Sequence, residues 1–282
     1  MVERQVVNLQ THGIPEVPEL GRYQYRRAQR GLKVHAHPGT LEICYLATGK
    51  QLYRVGRSDY VLTGGDVFVT FPDEIHSTGE SPEEKGTLYW LQVFLPRRPR
   101  SFLNCDQREC WALVDQLRRL PNRHFAGEPI LARLLDDALA ASAGDPLQRI
   151  RIQNRLVDFL LRVIDLARQR PRPSVSPAIS ELLRYIETNV HQTLPLPALA
   201  ARLKLSLPRF KARFKHEVGL PPAEYVLRCK VEAAKRQLSL PGATVTDVAL
   251  ALNFSSSQYF ATVFRRYTGR TPSTHRAAMP SR

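Results

Sequence analysis

Acidic residues are in short supply. Against 41 Lys and Arg the 282-residue chain sets 26 Asp and Glu, a net charge of +15. Cysteine is scarcer still: Cys44, Cys105, Cys110 and Cys229 make neither a CxxC nor a paired metal spacing. That excludes a disulfide framework or a cysteine-based zinc module and suits reduced thiols in the cytoplasm. No apolar run approaches the ~18 residues a membrane helix needs, so no membrane association is expected. The opening MVERQVVNLQTHG lacks the apolar stretch and small-residue cleavage site of a signal peptide. A cytoplasmic location is therefore expected.

A hydrophobic content of 43% suits a soluble globular chain, and its length accommodates two domains of ordinary size. The positive charge is unevenly spread. Residues 178–282 carry 16 basic and 6 acidic side chains, a net of +10, while the first 177 residues carry 25 and 20. A concentrated basic field attracts polyanions, of which nucleic acid is the commonest.

Three patterns follow one another. From 32 to 95, β-branched and aromatic runs break at Gly49, Gly56 and Gly64-Gly65, the spacing of an antiparallel barrel or sandwich. From 104 to 168 the period becomes helical. The stretch IRIQNRLVDFLLRVIDLARQ is apolar on more than one face, so it must be buried against two neighbours. A second subunit is one candidate neighbour, and Val157 and Ile164, one heptad apart, are the expected contact. Then QRPRPSVSP forbids a continuous helix and suits a semi-rigid linker over 169–177. Ser176 and Pro177 supply an N-cap and a first helical position. The expected division is a barrel over 1–103, a helical dimerisation segment over 104–168, the linker, and a helical domain over 178–282.

The last hundred residues repeat. Phe210, Phe214, Gly219 and Pro222 recur fifty positions later as Phe260, Phe264, Gly269 and Pro272. Before each phenylalanine pair lies a short helix (LPALAARLK or VTDVALALN), a turn, and a serine cap (Ser206, Ser255). Short helix, tight turn, capped second helix is the pattern of a helix-turn-helix. Phenylalanines four apart anchor one face and leave the other free. That free face carries Arg209, Lys211 and Lys215 in the first copy, and Ser257, Gln258, Thr262, Arg265 and Arg266 in the second. Such side chains suit base edges and phosphates.

The stretches LAARLKLSLPRFKARFKHEVGLPPAEYV, KVEAAKRQL and VTDVALALNFSSSQYFATVFRRYTGRTPSTHR carry a resemblance to the DNA-binding domain of AraC/XylS-type bacterial transcription regulators. The resemblance implies two helix-turn-helix units joined by one long helix, here about Ala223 to Leu238. It implies promoter DNA as partner, read by Pro208, Arg209, Lys211 and Ala212, then by Ser257, Gln258 and Thr262. RNA polymerase is a further partner of such regulators. Lys204 and Asn253 stand at turn positions where the family usually has glycine; a left-handed conformation is easier for Asn than for Lys. Ala212 and Thr262 replace the arginine many relatives carry.

Near the N-terminus, HAHPGTLE sets His35, His37 and Glu42 close together. GLKVHAHPGTLEICYLATG resembles the first cupin motif and GGDVFVTFPDEIH the second, ending at His76. Alternation places His35 and His37 on one face of a strand. With Glu42 and His76 they make a three-histidine, one-carboxylate set of the kind that suits Fe, Mn, Ni or Zn. In sensor barrels such side chains also hydrogen-bond ligand hydroxyls without metal, and buried structural histidines are a third reading. The expectation is a ligand pocket with no resident cofactor. Its ligand is a sugar or related polyol, with Trp90 and Gln92 on one strand face supplying an indole and a polar group. The functional expectation is a dimeric, ligand-responsive transcription regulator of α+β architecture: a cupin-like antiparallel barrel followed by an all-α domain. A cupin metalloenzyme, an isomerase or dioxygenase with an appended DNA-binding domain, is the alternative.

Overall fold

A computed structural model describes residues 3–79, 81–97, 102–140, 146–169 and 175–278. The chain divides into two compact units, one of residues 1–25 and 31–172, the other of 26–30 and 173–282. The expected 169–177 linker falls largely on 170–174, outside the described residues.

Among its described residues the first unit holds eight strands: β1 (Glu3–Val7), β2 (Glu19–Tyr25), β3 (Thr40–Val55), β4 (Ser58–Thr63), β5 (Asp66–Thr70), β6 (His76–Ser77), β7 (Gly86–Phe94) and β8 (His124–Ala126). All described pairings are antiparallel, in the order β1-β2-β7-β3-β5-β8, with β4 and β6 also on β3. The 16-residue β3 is the pivot. Its first half pairs with β5 and β7 and its second with β4 and β6. A register shift between Leu46 and Thr48 marks where it bends. The sheet therefore curls around an interior without closing, as a cupin-like half-barrel.

β3 is buried on both faces from Thr40 to Leu46. Leu41, Ile43 and Tyr45 pack outward, in one core with the helices α1 (Gln107–Arg118), α2 (Pro129–Leu139) and α3 (Pro146–Arg168). Cys44 and Leu46 face the barrel interior with Tyr23, Tyr53, Phe68, Leu88 and Trp90. A period of two thus assigns Glu42 to the interior as well.

α3 turns Ile152, Leu156, Phe159, Leu160, Val163, Ile164 and Ala167 into that outward core. Ile164 is 5% exposed, so Val157 and Ile164 do not form an exposed seam. The broad apolar surface of the helix is consumed within one chain by α2, α1 and β8. What stays exposed is Leu147, Ile150 and Leu161 on α3, and Trp111 on α1.

The second unit comprises α4 (Pro177–Thr188), α5 (Leu196–Arg202), α6 (Leu207–Val218), α7 (Pro222–Leu238), α8 (Val245–Ala251), α9 (Ser257–Thr268) and α10 (Pro272–Ala277). It has two cores. Phe210 and Phe214 pack with Ile179, Leu182, Ile186, Leu199 and Ala200. Phe260 and Phe264 pack with Val248, Ala249, Leu252, Val263 and Tyr267. α7 joins them, giving Val226 to the first and Val231, Ala234 and Leu238 to the second.

Ser176 caps α4, its side chain accepting from the Ile179 amide. In the second copy the cap is Ser256, one residue beyond the expected Ser255, and its hydroxyl accepts from the Tyr259 amide. Ser206 occupies the N-cap of α6 without a side-chain hydrogen bond. Lys204 and Asn253 both adopt a φ of +53°, so the lysine is held in the same left-handed turn as the asparagine. Neither copy is shifted.

Candidate functional site

Two sites emerge, one enclosed by the half-barrel and one displayed on α6 and α9. His35 and His37 precede β3 rather than lying on a strand, because Pro38-Gly39 turns the chain before the ladder starts at Thr40. They still converge on the interior. His35 forms an isolated bridge with His76, exchanging both backbone hydrogen bonds at 2.9 and 3.1 Å. The ring centroids of His35, His37 and His76 lie 4.2 to 5.3 Å apart.

Glu42 is buried beside His37 and His76. One carboxylate oxygen is 3.4 Å from His37 Nε2, the other 3.2 Å from His76 Nε2. The Gln92 amide nitrogen donates to Glu42 at 3.2 Å and stands 3.3 Å from His37 Nε2. Burial alone would raise the Glu42 carboxyl, yet His37 and His76 outweigh it and hold it well below the usual carboxylate range. Burial likewise works against charge on His76, but Glu42 and the Glu74 carbonyl raise its pKa. On His35 burial prevails and the pKa falls. The sequence-predicted His35, His37, Glu42, His76 and Gln92 are thus brought together.

Trp90 is nearby but differently placed. With Gln92 it lines a cavity of about 300 Å³ that also touches His35, His37 and Glu42. Its indole lies across Gly21 on the neighbouring strand; a β-carbon there would stand 2.0 Å from Trp90 Cζ2. The indole N–H donates to Glu19, and the Arg4 guanidinium lies 4.9 Å from the ring centroid. The sequence reading missed Arg4, Glu19, Tyr23, Lys33, Tyr53 and Glu83, all lining the same cavity. Alternation of Glu19, Gly21 and Tyr23 along β2 was the available signal. Burial pushes the Glu83 carboxyl up, opposed by Arg4 and Tyr25. Burial also pushes the Cys44 thiol far up, so it is a poor thiolate nucleophile. An aromatic wall facing convergent donors and acceptors suits a small polyhydroxylated or polar ligand.

On the second site, Pro208, Arg209, Lys211, Ala212 and Lys215 are exposed along α6. On α9, Gln258, Thr262 and Arg265 are exposed, with Ser257 and Arg266 half-buried. Both helices are held from behind in the same way. Phe210 and Phe214 meet edge to face at 5.6 Å, Phe260 and Phe264 at 5.7 Å. Thr262 donates to the Gln258 carbonyl at 3.0 Å, and Ser257 to the Gln258 side chain at 3.3 Å. Gln258 thus presents its amide from a restrained position.

Not all of the +10 charge belongs to this face. Arg228 and Lys230 on α7 are buried. Arg228 pairs with Glu224 at 3.0 Å, lies over the Tyr267 ring, and is lowered to about 10 by burial. Lys230 donates to the Asn253 carbonyl at 3.2 Å, fastening the second left-handed turn. Arg213 binds Glu217 at 2.7 Å and the Ser176 hydroxyl at 3.2 Å. Net charge in the sequence could not distinguish these structural cations from the exposed ones on α6 and α9.

Comparison with known proteins places both domains in known families. Residues 18–160 match the family model for an AraC-like ligand binding domain, and residues 199–278 match a helix-turn-helix domain. The arabinose operon regulatory protein of Escherichia coli is 23% identical over 78% of this chain and 74% of its own length. The MmsAB operon regulatory protein of Pseudomonas aeruginosa is 26% identical over 91% of this chain and 81% of its own. Among solved structures, a transcriptional regulator with an AraC-type DNA-binding domain from Chromobacterium violaceum is 26% identical, covers 37% of this chain and 96% of its own, and has a TM-score of 0.35.

Proposed function

This chain belongs to the family of AraC-type transcriptional regulators, with a ligand-binding and a DNA-binding domain, and from that premise we propose that it couples the binding of a sugar or related polyol in the half-barrel to promoter recognition by α6 and α9. The cavity beside His37, Glu42 and Gln92 carries this reading: three convergent polar groups share one buried site with the edge of Trp90. Glu42 accepts and Gln92 offers both donor and acceptor, which matches ring hydroxyls that do both. The relatives include a regulator named for an arabinose operon and activators named RhaS. Pentoses and deoxyhexoses are accordingly the first compounds to test.

Within the DNA interface, Arg209 and Gln258 read base edges, while Lys215, Arg265 and Arg266 hold phosphates. The chain acts as a dimer in the cytoplasm, and bound regulator engages RNA polymerase. Trp111, Leu147, Ile150 and Leu161 are exposed apolar residues of α1 and α3 that could supply a subunit contact. A ligand shifts the regulator only as far as it prefers one arrangement of the dimer over the other. The function is regulatory rather than catalytic: the relatives named above are operon regulators.

The test has two arms. Selection from random duplex DNA by the full chain is expected to enrich one motif, and a panel of pentoses, deoxyhexoses and polyols is expected to contain a compound that shifts both thermal stability and affinity for that motif. Enrichment without any responding compound would overturn the sugar assignment. Absence of enrichment would overturn the DNA-reading assignment.

A further inference from the structure

The loop between β5 and β6 braces the pocket from behind. Its Glu74 carbonyl lies 3.1 Å from His76 Nδ1. The Asp73 amide donates to the His37 carbonyl at 3.2 Å, and the Asp73 carboxylate accepts from the Gly39 amide at the same distance. Asp73 does this at a φ of +67°, a conformation that an L-residue keeps only when its surroundings impose it. His37 and His76 in turn flank Glu42 in the cavity wall. The loop therefore needs a restraint of its own.

Arg123, in the connection between α1 and β8, supplies it. Its guanidinium grips Glu74 with both arms, Nη1 to Oε2 at 2.9 Å and Nη2 to Oε1 at 2.8 Å. A two-pronged pair fixes direction as well as distance. The Phe71 amide donates to the same carboxylate at 2.8 Å. The guanidinium also lies 5.3 Å from the Phe71 ring centroid and 5.7 Å from that of Tyr60. From the other side, the Arg123 carbonyl accepts from the Val69 amide of β5 at 2.8 Å. Neither Glu74 nor Arg123 lines the cavity, so their hold on it is indirect.

The preceding residue reaches a different element. Asn122 donates its side-chain amide to the Ala167 carbonyl at 2.8 Å. Ala167 is fully buried in the last turn of α3, which ends at Arg168, just ahead of the segment that leads to the second unit. The last carbonyls of a helix have no intrahelical partner, so Asn122 is a specific anchor for this end. Because Asn122 and Arg123 are neighbours, the loop, the connection and the end of α3 form one linked chain.

We propose that Arg123 is a positioning residue for the effector pocket, and that the route through Glu74, Arg123 and Asn122 carries pocket occupancy to the end of α3. The effector part rests on the proposed sensing function; the mechanical link rests on the bonds named above. Such a route couples its two ends only if both bias one shared arrangement, which a double-mutant cycle measures.

The link is tested first on the full chain without sugar, by hydrogen exchange at single amides. Arg123→Ala is expected to speed exchange at Phe71, Asp73 and His76 by about tenfold or more, and Arg123→Lys, which keeps a charged donor, to restore most of the protection. If near-UV circular dichroism shows Arg123→Ala unfolded, Glu74→Gln is read at the same amides. Glu74→Gln is also expected to speed exchange about threefold at Gln169, whose amide donates to the Leu166 carbonyl at the end of α3, and to have no effect there in Asn122→Ala. Unchanged protection of Asp73 and His76 overturns the positioning role, and equal effects at Gln169 in both backgrounds overturn the route. The panel of pentoses, deoxyhexoses and polyols follows, beginning with L-arabinose and L-rhamnose. For a sugar that binds wild type, Asn122→Ala is expected to keep its affinity while cutting its effect on binding of the selected DNA motif about fivefold or more. A merely structural role would weaken both together, and an undiminished effect overturns the route. A panel with no responding sugar defeats the sensing assignment alone, since the exchange results decide this one without it.

Discussion

In the first unit the polar side chains of interest point inward and touch one another, with Glu42 answering to His37, His76 and Gln92 at once. In the second unit they point outward, are spread along two helices, and lean on little but their own backbone. The aromatic residues make the reverse division. Trp90 and Tyr53 line the pocket they help to form, whereas Phe210, Phe214, Phe260 and Phe264 are wholly buried behind the exposed faces of α6 and α9. Binding and stability are therefore entangled in the half-barrel and separable in the helical unit. A pocket mutation should disturb its own fold, while a recognition mutation should leave stability alone.

The sharpest break comes from the core of the helical unit. Phe264→Ala empties a fully buried ring position and is expected to remove about 3–5 kcal/mol there. Thermal denaturation of the full chain should then show an early transition that abolishes DNA binding while near-UV signals from Trp90 persist. A single transition shared by both units would contradict their independence.

Next in size is Glu42→Ala. It removes the carboxylate beside His37 and His76 and the acceptor of Gln92, at a cost of about 1–3 kcal/mol to the half-barrel, with promoter affinity unchanged. Chemical denaturation followed at Trp90 reads the first effect and fluorescence anisotropy of labelled DNA the second.

A smaller effect compares the two copies directly. Lys204 is held at φ +53° where an L-residue is strained, so Lys204→Gly should stabilise by about 1 kcal/mol or less after the added freedom of unfolded glycine is deducted. Asn253→Gly should gain nothing. Asparagine tolerates that conformation, and its side chain donates to Thr193 at 3.1 Å. Equal gains at both positions would show that the turns are not distinguished by residue type.

Arg265→Ala is expected to leave stability untouched and to weaken all DNA alike, lowering the slope of log affinity against log salt by about 0.9 if it holds one phosphate. The smallest effect is pH-dependent. Burial alone would raise the Glu217 carboxyl, but Arg213 and Ser176 outweigh it and lower its pKa from 4.5. A lowered carboxyl stabilises the fold above its ordinary value and loses that contribution as pH falls through the lowered one. Protection of the Ser176 amide, which donates to Glu217, should therefore decline on acidification below about pH 4.5, and the decline should vanish in Glu217→Gln.

The two sites were legible to different degrees for physical reasons. The helix-turn-helix repeat could be read because each phenylalanine pair spans one helical turn, so spacing alone assigns inside and outside. His35, His37, Glu42 and His76 could be read because a motif fixes their spacing. Arg4, Glu19, Lys33 and Glu83 could not, since they reach the cavity from strands and loops brought together only by the curl of the sheet. The Val157–Ile164 heptad misled for a related reason: a helix apolar all round does not reveal which stripe its own chain will cover. Charge misled in the same way. Net charge counts Arg228 and Lys230 with the exposed cations, yet they lie buried against Tyr267 and Phe254.

The most direct test of this account is the base preference of three full-length proteins, wild type, Arg209→Ala and Gln258→Ala, on single-base variants of the selected DNA. Each substitution should flatten discrimination of about 1–3 kcal/mol at its own base positions, the two sets should not overlap, and melting temperatures should stay at the wild-type value. Uniform loss of affinity across every variant by both mutants, or loss at the same positions, would contradict the assignment of α6 and α9 as two separate reading heads.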